Sequence, residues 1–156
     1  MAPRRPARRQ TFPSVLSMID RSASTGEFIA QRAAALAFDL KATDIMVLDL
    51  RGVTDMTDFF VIASGTSDTH VRAVAEFVQA GLKDAGVSTN MTEGLAQGRW
   101  ALLDYMDCVI HVFHPTSRTF YQLERLWGDA KRVPLDAGSH RPEFSGAVTA
   151  ALRAAR

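Results

Sequence analysis

The sequence predicts an α/β fold in which a mixed sheet of about five strands is flanked by helices. Short apolar runs that suit buried strands alternate with longer segments whose apolar residues recur every three or four positions, as in helices. The predicted order is α-β-β-α-β-β-β-α. One β-α-β crossover among hairpins gives a sheet with both parallel and antiparallel neighbours. The chain has 156 residues, 47% of them hydrophobic, which suits one domain, since domains cluster near ~100–150 residues.

The first three elements are predicted as a helix followed by two strands. Ser24 and Glu27 have the spacing of a capping box and precede an apolar helical face, so a helix is expected from about Gly26 to Lys41. The runs Ile45–Leu50 and Phe59–Ala63 are apolar and rich in β-branched or aromatic residues. Both are therefore predicted as buried strands joined as antiparallel neighbours.

A second helix is predicted directly after these strands. The segment Ser64–Ser67 breaks the strand and offers hydroxyl groups that can cap a helix N-terminus. Gly86 stands where the glycine that ends a helix belongs. The apolar face between them consists of Val71, Val74, Ala75, Val78 and Leu82.

Three short strands complete the predicted sheet. They are Val87–Glu93, Trp100–Tyr105 and Cys108–Phe113, separated by the glycine-bearing turn Gly94–Gly98 and the tight corner Tyr105–Asp107.

A last helix is predicted from about Ser117 to Trp127. Pro115 ends the preceding strand, and Thr116 or Ser117 is expected to cap the helix. Its inner face is predicted to carry Phe120, Leu123 and Trp127, while its surface carries Arg118, Tyr121 and Arg125.

Charge divides the chain into three parts although the net charge is only +1. Residues 1–23 carry five arginines against Asp20, which gives 5 − 1 = +4. Residues 24–135 carry 10 basic and 14 acidic side chains, which gives −4, and residues 136–156 carry 3 − 2 = +1. A nucleic-acid-binding domain needs a net basic face. The acidic domain therefore favours basic protein partners and predicts no dedicated nucleic-acid site.

We interpret residues 1–23 as a disordered basic arm, 24–135 as the domain and 136–156 as a flexible tail. The arm lacks the apolar core of a signal peptide; an organellar transit segment stays open because the arm is Arg-rich. The single cysteine, Cys108, excludes a disulfide framework and indicates a reducing compartment. No apolar stretch reaches the ~20 residues that cross a bilayer. The expected location is the bacterial cytoplasm, or an organelle if the arm is a transit segment.

The residue patterns predict no catalytic, cofactor or metal site. The start of the second helix, Ser64–Ser67, could hold a phosphate, which leaves a nucleotide-binding or nucleotidyltransferase-like enzyme as the alternative. It lacks the lysine of a P-loop and the three glycines of a dinucleotide fingerprint. Asp104 and Asp107 are three residues apart, whereas paired metal-binding carboxylates on a strand need a spacing of two. They are expected to anchor the corner or to serve as acidic contacts.

The histidines and the cysteine add no support for chemistry. His111 and His114 point to opposite faces of a strand and no further ligand completes a set. Cys108 lies in an apolar strand, where a thiol is usually inert.

A cluster around the fourth strand instead predicts a protein-binding site. Aromatic and methionine anchors within an acidic rim are typical of a protein–protein hot spot. For a single member such as Trp100, packing in the core is the alternative. The predicted partner-binding residues are Glu93, Trp100, Leu103, Asp104, Tyr105, Met106 and Asp107.

Several motifs in series resemble the ribosomal silencing factor family, also called Iojap. The similar stretches run in order over roughly residues 24–132. They are Asp44–Asp49, Thr57–Ser67, Glu93-Gly94, Trp100 with Asp104, Asp107 with His111–Phe113, and Arg118 with Tyr121–Trp127.

The resemblance implies a factor without enzymatic activity that binds ribosomal protein fourteen of the large ribosomal subunit. It implies that the bound factor sterically prevents joining of the small subunit and so represses translation, and that organellar relatives act in large-subunit assembly. It further implies a fold similar to nucleotidyltransferases without their catalytic carboxylates, and self-association as dimers. The ribosomal-protein contact carries over to the segment 100–107, with Trp100 the strongest match.

Overall fold

The computed structural model describes residues 25–135, which form a six-stranded sheet with two long helices on one face. The elements in chain order are α1 (Thr25–Asp39), β1 (Thr43–Asp49), β2 (Phe59–Ser64), α2 (Asp68–Asp84), β3 (Met91–Glu93), β4 (Trp100–Asp104), β5 (Cys108–Phe113), α3 (Pro115–Tyr121), α4 (Leu123–Leu126) and β6 (Lys131–Val133). The predicted α/β class is confirmed. The basic arm, the capping residue Ser24 and the tail lie outside the described residues.

The strands are ordered β3-β4-β5-β2-β1-β6 across the sheet. Strands β2 and β5 are parallel and every other neighbouring pair is antiparallel. This is the predicted combination of one crossover with hairpins. All six residues of β2 are buried, because this strand lies near the middle of the sheet and is covered on both faces.

The core lies between the sheet and the helices α1 and α2. Ile29, Ala33 and Leu36 of α1 are buried there, as are Val74 and Leu82 of α2. The alanine-rich α1 lets the two helices approach closely: a Cβ at Gly81 of α2 would lie 2.6 Å from the Leu36 side chain. The predicted caps of α2 are confirmed, since Ser67 Oγ accepts a hydrogen bond from the His70 amide and Gly86 follows the helix with φ +87°.

Two strand predictions need correction. Residues 131–133 form a sixth strand on β1, which the pattern missed because two of its three residues are charged and exposed. The third strand begins at Met91 rather than Val87. Val87 instead closes the end of α2, since its amide donates to the Leu82 carbonyl.

The predicted last helix is broken at Gln122. This residue adopts φ +45°, which separates α3 from α4. The helix starts earlier than predicted: His114 is the cap, its Nδ1 accepting from the Thr116 amide, and Pro115 occupies the first turn, a position that favours proline. The predicted caps Thr116 and Ser117 are therefore wrong.

The break changes which side chains of this segment are buried. Leu123 is buried and Trp127 packs against Phe60, as predicted. Phe120 is 79% exposed, so its predicted place in the core is wrong. Arg118, predicted at the surface, is only 8% exposed.

Candidate protein-docking face

The face of the sheet opposite α1 and α2 is covered only in part. Over β2 and β1 it is closed by a second apolar cluster that includes Leu48, Phe60, Ile62 and Leu123. Towards β3 the helical cover ends, because Tyr121 of α3 reaches only as far as Trp100. We call the side chains beyond this point the open face. They are Met91, Glu93, Trp100, Leu102 and Asp104, all half-buried or exposed.

Strand geometry explains why these five side chains lie together. Side chains alternate between the two faces along a strand, so Trp100, Leu102 and Asp104 of β4 share one face. In the antiparallel pairing of β3 with β4, Met91 lies opposite Asp104 and Glu93 lies opposite Leu102. The result is an apolar strip with a carboxylate on each strand.

Trp100 is held in a fixed position on this face. Its ring lies 4.8 Å from that of Phe113 and 4.7 Å from that of Tyr121, measured between centroids. Its indole N–H donates to Nδ1 of His111 at 3.1 Å. The indole is therefore half-buried: part of it packs within the domain and part is accessible, while a partner contact of Trp100 stays a prediction.

The corner between β4 and β5 holds Met106 at the border of the open face. Met106 adopts φ +71°, and its amide donates to Asp104 Oδ1 at 2.8 Å. Asp104 thus anchors the corner through its side chain, as predicted. The Met106 side chain is 40% exposed.

Three of the predicted contact residues are buried away from this face. Leu103 and Tyr105 point into the core under α1 and α2, because they alternate with Trp100 and Asp104 along the strand. Asp107 is also buried, and its carbonyl accepts from the amides of Asp58 and Phe59. The expectation that Leu103, Tyr105 and Asp107 contact a partner is corrected accordingly, while Glu93, Trp100, Asp104 and Met106 lie at or beside the open face. Met91 and Leu102 were missed, although the period of two along β4 indicates Leu102.

Two backbone amides just before α2 donate to acceptors within the protein. The amide of Gly65 donates to the Phe113 carbonyl at 2.8 Å, and that of Thr66 donates to His70 Nδ1 at 2.8 Å. Ser64 Oγ accepts from the Arg118 guanidinium. Asp68 adds a negative charge to the first turn. The geometry thus favours a capped helix start over a phosphate site.

The remaining candidates for chemistry are enclosed or serve as caps. Burial raises the pKa of the Cys108 thiol, which is fully buried. Among residues 25–135 no three His, Cys, Asp or Glu side chains are grouped to hold a metal ion. None of the helices in this range is long and apolar enough to span a membrane.

His111 is a neutral support beneath the open face, and this gives a pH-dependent prediction. Burial lowers its pKa to about 3. Its Nδ1 accepts from Trp100, so Nε2 carries the proton, and Nε2 has no hydrogen-bond partner within the described region. In the unfolded chain the imidazole takes up a proton below about pH 6.5. Stability is therefore expected to fall as the pH is lowered from about 6.5 towards 3, by roughly 1 kcal/mol per pH unit.

The measurement is urea unfolding of the wild type and of His111→Phe at pH 7, 6 and 5. The variant keeps a ring beside Phe60 and Phe113 but cannot take up a proton. As the pH falls, we expect the free energy of unfolding of the wild type to decrease more than that of the variant. If the free energy of unfolding changes equally with pH in both proteins, His111 does not titrate in this way.

The fold and this face define a small α/β domain whose distinguishing surface is an apolar, acid-rimmed part of a sheet. The chain belongs to the ribosomal silencing factor family: the family model described as "Ribosomal silencing factor during starvation" matches residues 23–155. This match extends beyond residue 135, the end of the domain predicted from the sequence.

Individual relatives agree with this assignment. The chain is 40% identical over 113 residues to Ribosomal silencing factor RsfS of Bacillus subtilis, covering 72% of this chain and 96% of that protein. It is 34% identical over 89 residues to "Mitochondrial assembly of ribosomal large subunit protein 1" of Mus musculus, covering 55% of this chain and 39% of the mouse protein. A crystal structure of a Chromobacterium violaceum protein is similar with a TM-score of 0.66 and 34% identity, covering 77% of this chain and 99% of that one.

Proposed function

We propose that this protein binds the large ribosomal subunit through its ribosomal protein fourteen and sterically blocks joining of the small subunit, which represses translation. The single observation that carries the proposal is the open face, an apolar strip with acidic side chains, in a member of the ribosomal silencing factor family. Family membership supports the ribosome as the binding partner, and the open face is the surface that we propose contacts it.

Charge supports a protein rather than an RNA contact. The described residues carry 10 basic and 14 acidic side chains. Ribosomal RNA repels such a domain, whereas the exposed parts of basic ribosomal proteins attract it. Glu93 and Asp104 lie on the open face itself, so the attraction acts where the apolar contacts form.

Blocking by occupancy needs no catalysis, and we propose that the protein is not an enzyme. At the candidate phosphate site Ser64–Ser67, the amides of Gly65 and Thr66 donate to acceptors within the protein, and the Ser67 hydroxyl oxygen caps the helix. A protein of 17.1 kDa fixed at the subunit interface only has to occupy volume that the small subunit requires.

Location, assembly and self-association extend this proposal. The mouse relative is named for assembly of the mitochondrial large subunit, so a contribution to large-subunit assembly belongs to the same proposal. The place of action is the bacterial cytoplasm, or an organelle if the basic arm directs the chain there. A homodimer of the free protein stays a prediction.

The decisive experiment measures subunit joining. Purified large and small subunits are mixed at joining concentrations of Mg²⁺, and light scattering follows the formation of whole ribosomes. Preincubation of the large subunit with excess protein is expected to reduce the amplitude of joining in proportion to the fraction of subunit bound.

Two outcomes would contradict the proposal. Joining of equal amplitude with saturating protein would end the steric mechanism. A clear rise in melting temperature on adding nucleoside triphosphates with Mg²⁺ would instead favour the nucleotide-binding alternative, since a ligand that binds the folded state stabilises it.

A further inference from the structure

Two large aromatic side chains at the end of α3 are exposed next to the open face. Phe120 is 79% exposed and Tyr121 is 51% exposed. Their ring centroids lie 5.0 Å apart with the two rings nearly perpendicular, and the Tyr121 ring lies 4.7 Å from that of Trp100. The three rings are therefore in continuous contact. We call Phe120, Tyr121 and Trp100 the aromatic row.

The aromatic row continues the open face, because Trp100 belongs to both. On β4, Leu102 and then Asp104 follow Trp100 on the same face of the strand. Same-face neighbours along a strand lie only about 7 Å apart. The row and the open face thus form one surface that runs from Phe120 on α3 to Asp104 at the end of β4.

Packing within the domain does not account for the exposed rings of α3. Within residues 25–135, neither of the two apolar clusters includes Phe120 or Tyr121, whereas Leu123 and Trp127 beyond the helix break do pack into one of them. Exposed apolar surface bordered by polar residues is typical of protein interaction sites. Aromatic side chains are especially common at the centres of such sites.

The open face alone is small for a specific protein interface. It consists of five side chains, whereas a stable interface typically uses about 20 residues on each partner. A partner that contacts Trp100 therefore needs neighbouring surface as well. The exposed rings of Phe120 and Tyr121 adjoin Trp100 directly and provide such surface.

The joined surface places carboxylates beside aromatic rings. Glu93 is exposed and lies opposite Leu102, and Asp104 stands at the end of β4. Guanidinium and ammonium groups are attracted both to ring faces and to carboxylates. Nucleic-acid bases also stack on exposed rings, but the two carboxylates repel the phosphates that accompany them. The surface therefore favours the cationic side chains of a protein.

We propose that the aromatic row belongs to the ribosome-docking surface, and that arginine or lysine side chains of the bound ribosomal protein pack on the rings of Phe120 and Tyr121. This inference rests on the proposed function and adds to it the chemistry of one contact. The apolar strip and the carboxylates of the open face bind the same partner alongside.

The test compares two substitutions of Phe120 in the full chain. Phe120→Ala and Phe120→Leu are both expected to weaken binding about fivefold, because leucine keeps apolar bulk but has no ring to attract a cation. Phe38→Ala is the matched control: Phe38 is 53% exposed on α1, in the layer on the other face of the sheet, and the control is expected to bind as the wild type does. Binding is measured both to large ribosomal subunits and to purified ribosomal protein fourteen, and circular dichroism checks the fold.

Three results would overturn the inference. Wild-type affinity of Phe120→Ala would remove the aromatic row from the interface. Loss in Phe120→Ala with wild-type affinity in Phe120→Leu would show that the contact is apolar and not cationic. Loss with large subunits but not with the purified ribosomal protein would place ribosomal RNA on the rings. In each case the wild type still binds and the proposed function stands, whereas a wild type that binds neither target contradicts the proposed function and this inference together.

Discussion

Replacing Arg118 with methionine is expected to lower the free energy of unfolding by about 3 kcal/mol, because the guanidinium is a buried junction between three parts of the chain. Nη1 donates to Ser64 Oγ at 2.8 Å, Nη2 donates to the Asp44 carbonyl at 3.0 Å, and Nε donates to Glu124 Oε1 at 3.2 Å. The side chain thus links α3 and α4 to the end of the sheet at which β1 begins and β2 ends.

The expected loss is large because methionine leaves polar groups without their partner. Glu124, whose side chain is 23% exposed, loses its ion-pair partner, and its Oε2 is already buried with no hydrogen-bond partner among residues 25–135. Removing one partner of a largely buried ion pair costs far more than removing one partner of an exposed pair. Ser64 Oγ and the Asp44 carbonyl lose a charge-assisted donor as well.

Urea unfolding followed by circular dichroism measures this loss. Arg125→Met is the matched control, because Arg125 is exposed and, among residues 25–135, its guanidinium bonds only to Gln122. We expect the control to change stability by less than about 0.5 kcal/mol. If Arg118→Met and Arg125→Met have the same small effect, Arg118 is not the junction that the contacts indicate.

The central strands were predictable because their local sequence and their surroundings agree. Phe59–Ser64 is apolar at nearly every position, and only a strand buried on both faces needs that pattern. Ser67 and Gly86 mark the ends of α2 for equally local reasons, namely side-chain capping and a positive φ. Such features depend on a few neighbouring residues and can be recognised without the fold.

The burial of Arg118 could not be predicted in the same way. Its partners Ser64 and Asp44 lie 54 and 74 residues away, and nothing near Arg118 in sequence reveals them. Phe120 was misplaced because the helical period was extended through Gln122, where the backbone turns to φ +45°. When one helical period is applied to two helices separated by a break, the residues of one helix are assigned to the wrong face.

The predicted partner-binding residues do not all lie on one face of the sheet. The acidic and aromatic residues of the segment 93–107 were grouped by closeness in sequence, which mixed both faces of β4. Alternation along the strand separates Trp100, Leu102 and Asp104 from Ala101 and Leu103. Met91 joins the face only through its pairing with Asp104 across two strands, and this register is not visible in the sequence.

Replacing apolar and acidic side chains of the open face with lysine is expected to weaken binding to the large ribosomal subunit. In the double variant Met91→Lys with Glu93→Lys, an apolar contact and an acidic contact both become basic. These side chains are exposed on the edge strand β3, so the fold tolerates the change. A basic ribosomal partner is then repelled where it was attracted. We expect binding to weaken at least about tenfold, which corresponds to roughly 1.4 kcal/mol.

A control variant separates this surface from a general effect of charge. Glu76→Lys with Ala80→Lys makes the same net charge change of +3 at exposed positions of α2, on the layer that covers the other face of the sheet. Co-sedimentation with large subunits through a sucrose cushion measures both variants, and circular dichroism checks that each is folded. The control is expected to bind as the wild type does. Should the Met91 and Glu93 variant keep full binding while folded, the ribosome contacts another surface, because a docking face cannot accept a net charge change of +3 without loss of affinity for a basic partner.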